Sequence, residues 1–431
     1  MQFVTIMNRH LAYYLIGLLG GLLVLQPAKG QQTVSSDSRG AASPATVESL
    51  MKRLRLSAYG VVNYYAFDWD TWKDKRNAID PERLNTYVYY DFNDRVQFKA
   101  EIEFEHGGTG STMSFDPLEE FGEFEEKIEK GGQVILEQIN VLFKIHPWLN
   151  VRLGKMRFYM GNASKQDQPR EYFTAYRSEV ENTILPLGWY ETGIELSGDI
   201  ALSSSSYPKL AYKLYWVSGL DNSGFSSANW IRRGYQKRFE KINADHLATA
   251  LRLDYIFAKD SEIGISLYAG NTNNRPKDDF DLPAWLLYGD VHFTIEQHPW
   301  RARAYGVWGH LQNSEALSEA NRNLSNNLGV KRTPVGAEAA GAYIEYAYDI
   351  FFPLGIQDKQ LYLFSRAEWY DSMFKTEGNI SDNPRYERKV LTAGINYFPL
   401  PTVVLKAHYA WRILGSGEHE NTFAAGLGFD F

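Results

Sequence analysis

Hydrophobic and polar positions alternate with a period of two through most of the chain. The clearest stretch is 96–105, where Val96, Phe98, Ala100, Ile102 and Phe104 share one face and Gln97, Lys99, Glu101, Glu103 and Glu105 the other. Successive side chains of a strand point to opposite faces, so this pattern predicts a β-strand with one apolar and one wet side. Burying the charged face unpaired would carry a large desolvation cost. Residues 403–412 repeat the arrangement, with Val403, Leu405, Ala407, Tyr409 and Trp411 against Lys406, His408 and Arg412. At the C-terminus Phe423, Ala425, Leu427, Phe429 and Phe431 fall on one face, and the chain ends on the aromatic.

About sixteen such segments are predicted between 54 and 431, the weakest patterns being 190–200 and 284–297. Short connections near 93–95, 147–149, 259–261, 298–299 and 400–401 alternate with long ones near 68–83, 107–130, 161–190, 219–243, 313–337 and 372–386. A soluble sandwich has no reason to segregate its loop lengths in this way. Strands apolar on one face, with short turns at one rim and long loops at the other, predict an all-β chain forming a transmembrane antiparallel β-barrel over 53–431. An even strand number places both ends at one rim. Two of the short turns share a tripeptide, His146-Pro147-Trp148 and His298-Pro299-Trp300, and another reads Phe398-Pro399-Leu400-Pro401. Proline presets φ and cannot donate to a ladder, so it suits strand ends. Turn geometry thus accounts for the two histidines without a metal.

The start of the chain differs. Arg9 and His10 precede an apolar run over 11–25, followed by Ala28 and Gly30, which predicts a signal peptide over 1–30. Residues 31–52 are Ser- and Ala-rich and predict a periplasmic tail. Aromatics make up 15% of the chain, with 28 Tyr, which suits belts between lipid and water. There is no cysteine, hence no disulfide and no thiolate metal site. The formal charge of −7 argues against nucleic acid as a partner.

With the apolar faces toward lipid, the opposite parity lines the interior. The pore-lining candidates on strands are Lys99, Glu101, Glu103, Lys155, Arg157, Arg252, Asp254, Arg366, Glu368, Lys406 and Arg412, with Arg301, Arg303, Glu345 and Asp349 alongside. A barrel this wide is expected to enclose an aqueous channel. Bases and acids alternate, as in Arg252 with Asp254 and Arg366 with Glu368, and opposite charges cancel beyond a Debye length of about 8 Å. The long connection 161–190 carries Lys165, Arg170, Glu171, Arg177, Glu179 and Glu181 beside Tyr172, Phe173 and Tyr176. The connection 107–130 is acidic and predicts a solvated external loop able to take up divalent cations that bridge lipopolysaccharide.

The C-terminal strand resembles that of bacterial outer-membrane barrels, where the terminal Phe is read by the barrel-assembly machinery. With Arg152-Leu153-Gly154-Lys155 entering the third long loop and Leu185-Pro186-Leu187-Gly188 leaving it, the chain resembles the porin superfamily, and more loosely the phosphate-selective porin O and P group. The resemblance implies a cell outer membrane location in a Gram-negative bacterium, contact with lipid and lipopolysaccharide, and a homotrimer. It also implies a third loop folded into the lumen, which would add Arg170 and Arg177 to the pore lining. Phosphate selectivity does not carry over, because acids interleave with the bases.

These features predict a weakly selective diffusion channel for ions and small hydrophilic solutes, with no catalytic residue, cofactor or metal. Two other readings stay open. An outer-membrane hydrolase would need a nucleophile, a base and an orienting group at one rim, whereas the nine histidines are scattered. A structural or adhesive barrel would have a plugged lumen.

Overall fold

The structure, a computed structural model, describes residues 52–431 except 108–113, 121–122, 128–131, 187, 235–241, 276–279, 323 and 325–331. The signal-peptide and tail expectations over 1–51 fall outside the described residues, as do the acidic side chains over 114–127.

The first half of the wall comprises β1 (Leu54–Trp69), β2 (Ala78–Asn93), β3 (Val96–Glu105), β6 (Gln133–His146), β7 (Leu149–Arg157), β8 (Tyr190–Ala201), β9 (Lys209–Val217) and β10 (Ala248–Ala258). The second half comprises β11 (Ser261–Asn271), β12 (Trp285–Gln297), β13 (Trp300–Leu311), β14 (Glu338–Asp349), β15 (Gln360–Lys375), β16 (Glu387–Leu400), β17 (Val403–Leu414) and β18 (Glu420–Asp430). Each pairs antiparallel with its sequence neighbour in the wall, and β18 pairs with β1, closing a sixteen-strand barrel. Closure satisfies every strand edge, which lipid demands because it offers no hydrogen bonds. The closing register runs from Tyr59 opposite Asp430 to Trp69 opposite Glu420, and Phe431 exchanges two backbone bonds of 2.9 Å with Ala58. Strands β4 (Ser114–Glu120) and β5 (Glu123–Lys127) form a separate hairpin in the connection after β3.

The expected period-two faces are present. Leu267, Val291, Ile344, Leu363, Leu391 and Leu405 are exposed on the outside. In water so large an apolar surface would aggregate, and in lipid it is satisfied. Trp148 and Trp300 stand half-exposed at the short-turn rim, and Trp300 packs on Tyr346 and Tyr348 at centroid distances of 5.4 and 4.2 Å. The repeated turn has a shared use: Pro147 O accepts from Asp199 N, and Pro299 O accepts from Asp349 N, both at 3.0 Å. Each turn thereby ties into the next hairpin.

β2 begins at Ala78, well before the expected 84. Pro81 falls inside this extension, and the ladder to β1 shifts register between Val61 and Asn63, so the proline sits at a bulge where no donor is needed. The connections 272–284 and 415–419 at the long-loop rim also went unpredicted. No helix among the described residues is long and apolar enough to cross a membrane. Helices α1 (Glu179–Ile184) and α2 (Ser314–Arg322) both lie in long-loop connections.

Candidate functional site

The segment between β7 and β8, residues 158–189, leaves the wall and runs through the lumen. Its departure begins at Gly154, whose φ of +121° lies where L side chains rarely sit and where a Cβ would stand 2.4 Å from Ile139 O. The glycine interrupts the alternation. Arg152 reaches Asn140 at 2.9 Å, and Arg157, an odd number of residues later, still points inward to Tyr190 Oη at 2.6 Å. The two ends of the segment are pinned together. Phe158 N donates to Trp189 O at 2.8 Å, and the Phe158 ring packs on Trp189 and Tyr215 at 4.7 and 4.8 Å.

From there the segment is bonded to every side of the wall. Arg252 donates to Gly161 O at 2.6 Å, and Gly161 N donates to Asp290 at 3.1 Å. Lys165 bridges Asp254 at 3.0 Å and Glu262 at 2.5 Å. Asp167 accepts from Tyr59 at 3.1 Å and from Tyr87, and it pairs with Arg157 at 2.7 Å and with Arg177 at 3.3 Å. On the far side Lys406 donates to the carbonyls of Tyr172 and Thr174 at 2.5 and 3.0 Å, and Arg366 donates to Thr174 Oγ1 at 3.1 Å. Val180 N, in α1, donates to Glu368 at 3.2 Å, and Glu179 pairs with Arg412 at 2.7 Å. At the short-turn rim Arg170 pairs with Asp430 at 2.9 Å. The expected inward third loop is therefore present, and Tyr172, Phe173 and Tyr176 pack against the wall as expected.

The aqueous lining expected of the strand candidates is reduced, because many of them are buried. Several of the strand candidates meet the segment, and others are held by the wall itself. Glu101 and Glu103 are buried, with Glu101 accepting from Asn85 at 2.8 Å and Gln138 at 2.5 Å and facing Arg157 at 3.5 Å. Lys155 is buried and donates to Leu136 O at 2.8 Å, while Lys99 is half-buried over the Tyr87 and Tyr89 rings. The bases and acids that alternate in sequence are true pairs: Arg252 with Asp254 at 2.8 Å, and Arg366 with Glu368 at 2.6 Å and Glu345 at 3.2 Å. The strand count suggested width, but a chain segment that brings its own charges and peptide groups displaces the water a wide bore would hold. Arg170 and Arg177, expected to add to the pore lining, stand apart and share no acid, one holding Asp430 at the rim and the other Asp167 inside.

Burial drives the carboxyls of the segment upward, and neighbours decide the outcome. Against that burial, Arg157, Arg177 and Arg83 hold Asp167 well below the usual carboxylate range. Arg412 does the same for Glu179, with help from Tyr370, bringing it down to about 2. Glu181 meets no cation among the described residues. Its partners are Ala163 N at 2.7 Å, Ser178 at 3.0 Å and Tyr343 at 3.2 Å, and burial raises it to about 6. A small recess lies against the segment, lined by Arg157, Arg177, Glu181, Asn182 and Trp189 among others.

A second filling at the long-loop rim was not anticipated. Leu220, Phe225, Trp230 and Ile231 after β9, with Leu317 of α2 and Val335, are fully buried in one apolar cluster. Trp230 Nε1 donates to Gly336 O at 3.0 Å, and its ring occupies the space over Gly309, where a Cβ would lie 2.2 Å from it. These residues lack strand alternation, so periodicity could not flag them. Asp290 and His292 were also missed, although their spacing on β12 made them legible. His292 bridges Asp290 and Asp254 at 2.7 Å each. The ligand atoms of Asp254, Glu262 and His292 lie within 4.8 Å of one another, but Lys165 and Arg252 already supply the positive charge there.

No family model matches the chain. An uncharacterized protein of Aquifex aeolicus (strain VF5) is 25% identical over 370 residues, covering 84% of this chain and 76% of that protein. Among solved structures, the anion-selective porin of Comamonas acidovorans aligns with a TM-score of 0.52 at 9% identity, over 88% of this chain and 100% of that one. OmpF of Salmonella typhi, in complex with daunomycin, aligns at 0.52 and 12%, over 88% of this chain and 97% of that one. At such identities the likeness concerns the fold, a large outer-membrane-type barrel.

Proposed function

We propose that the protein is an outer-membrane diffusion channel of porin type for ions and small hydrophilic solutes, without enzymatic activity. The observation that carries this reading is the inner wall: charged residues on strand after strand face a lumen crossed by one segment held by polar bonds. A barrel serving only as an anchor could fill its interior with apolar side chains. Conduction in this reading passes the recess beside Arg157, Arg177 and Glu181, and it widens when the segment shifts. Selectivity is weak because fixed charges of both signs lie within a few ångströms of each other. Phe431, 77% exposed at the rim, suits recognition by assembly machinery.

The test is conductance of the refolded protein in planar bilayers. Discrete ohmic steps with a small reversal potential in a tenfold KCl gradient are expected, and larger steps in Asp167→Asn. A silent membrane with both proteins sinks the channel. That outcome would favour a structural barrel, the reading to which the apolar cluster around Trp230 lends support. Deleting Phe431 is expected to lower outer-membrane levels in cells while leaving refolded conductance unchanged.

A further inference from the structure

The inner face of β15, β16 and β17 holds several buried polar side chains whose hydrogen-bonding atoms lack partners. Asn396, 1% exposed, has neither amide atom bonded, and His408, 2% exposed, has neither ring nitrogen bonded. Arg366 Nη2 and Thr392 Oγ1 are likewise buried and unpartnered. These residues are neighbours. Thr392 lies opposite Arg366, Asn396 opposite Lys406, and Gly394, between Thr392 and Asn396 on the same face, opposite His408. Adjacent strands are about 4.8 Å apart, so the four residues and Lys406 form one patch. Buried polar atoms without partners are rare and call for an explanation such as water or an ion.

The charge balance selects between the two. Arg366 and Arg412 hold the nearby acids Glu345, Glu368 and Glu179. Lys406 is buried and bonds to the carbonyls of Tyr172 and Thr174, over the Tyr172 ring at 3.7 Å, with no ion pair among the described residues. Of the acids that bear on it, Glu82 lies against Arg83 at 3.7 Å, and Glu345 pairs with Arg303 and Arg366. The charged groups bearing on His408 are Arg366, Lys406 and Glu179, the last already paired. A water would satisfy Asn396 and His408 but leave the Lys406 charge uncompensated in a dry place, at considerable cost. Phe173, stacked on Phe364 at 5.3 Å, and Tyr176, edge-on to His408 at 5.3 Å, cover the patch from the segment. One uncompensated cation under an aromatic cover matches a single negative charge of small size.

We propose that a halide-sized monovalent anion binds between Asn396, His408, Lys406 and Arg366, beneath residues 172–176, and helps hold the segment in the lumen. The donors are the Asn396 amide, one His408 ring N–H and Arg366 Nη2, with Lys406 supplying the charge. The site does not depend on the channel reading, since neither measurement below uses conductance. Crystals of the full chain grown in sodium bromide should show an anomalous peak within hydrogen-bond distance of Asn396 Nδ2 or a His408 nitrogen. The Asn396→Leu, His408→Phe double variant should lose that peak. Thermal unfolding in detergent should give a Tm a few degrees higher in chloride than in gluconate at equal ionic strength, and the difference should vanish in the double variant. Water density without anomalous signal, a peak that survives in the double variant, or a wild-type Tm indifferent to the anion each overturns the proposal.

Discussion

Two stretches of chain enter the lumen, and their anchoring differs in its balance of forces. Residues 158–189 are held through ion pairs and hydrogen bonds to all sides of the wall, with Asp167, Lys165, Glu179 and Val180 N as the main contacts. The stretch around Trp230 and Leu317, at the long-loop rim, is held by apolar burial, in a cluster shared with Phe158, Val180, Ile184 and Trp189 of the first stretch. Neutral hydrogen bonds add to it, such as Trp230 Nε1 to Gly336 O and Asn274 to Leu220 O, both at 3.0 Å. The ion pairs and hydrogen bonds of the first stretch compete with water and with dissolved ions, so their net contribution is modest and depends on salt and pH. An apolar cluster faces no such competition, and opening it exposes hydrocarbon to water. The contrast assigns sensitivity to salt and pH to the first stretch and indifference to both to the second.

The largest effect that would sharpen this contrast is loss of Asp167. Asp167→Ala leaves Arg157 and Arg177 buried without their shared acid, and removing one partner of a buried pair costs about 3–5 kcal/mol. Proteolysis within 158–189 should become fast while the barrel itself stays resistant. Unchanged cleavage would break the assignment of Asp167 as the main anchor. Trp230→Ala should cost about 3 kcal/mol or more through lost burial and a cavity over Gly309. Its effect should be the same at low and high salt, and a salt-dependent loss would contradict the apolar account.

The pH response comes next. Glu181, raised to about 6, is favoured protonated in the folded segment. A raised carboxyl contributes stability below its unfolded value of about 4.3 and loses it as pH rises through about 6, worth about 2 kcal/mol. Glu179 runs the other way, its contribution present above that unfolded value and lost as pH falls toward about 2. Hydrogen exchange of 158–184 should therefore accelerate as pH rises from 5 to 7, after correction for intrinsic rates. Glu181→Gln should flatten that step. The smallest effect is Arg170→Ala. This pair with Asp430 is partly exposed at the rim and is worth about 0–1 kcal/mol, fading with salt.

Much of the wall was legible because lipid outside and polar groups inside force a strict alternation. The residues 96–105 and 403–412 showed it plainly, and even the weak patterns at 190–200 and 284–297 proved to be strands. The inward direction of Lys406, Arg366 and Glu101 followed from the same parity. Their burial did not, since parity says which way a side chain points and nothing about what arrives to meet it. Gly154 hid a break in that parity, and Trp230, Ile231 and Leu317 carried no period to betray them.

The sequence by itself determined the strands, their faces, the segregation of turns and loops and the closing pair of β1 with β18. These follow from local periodicity and the demand that backbone groups in lipid be paired. Only the tertiary structure decided that residues 158–189 cross the lumen, that Asp167 lies between Arg157 and Arg177, and that Lys406 faces carbonyls instead of a carboxylate. Those contacts join residues far apart in the chain. Whether a lumen charge meets water or a partner depends on the path of the connecting segments, which alternation along a strand does not encode.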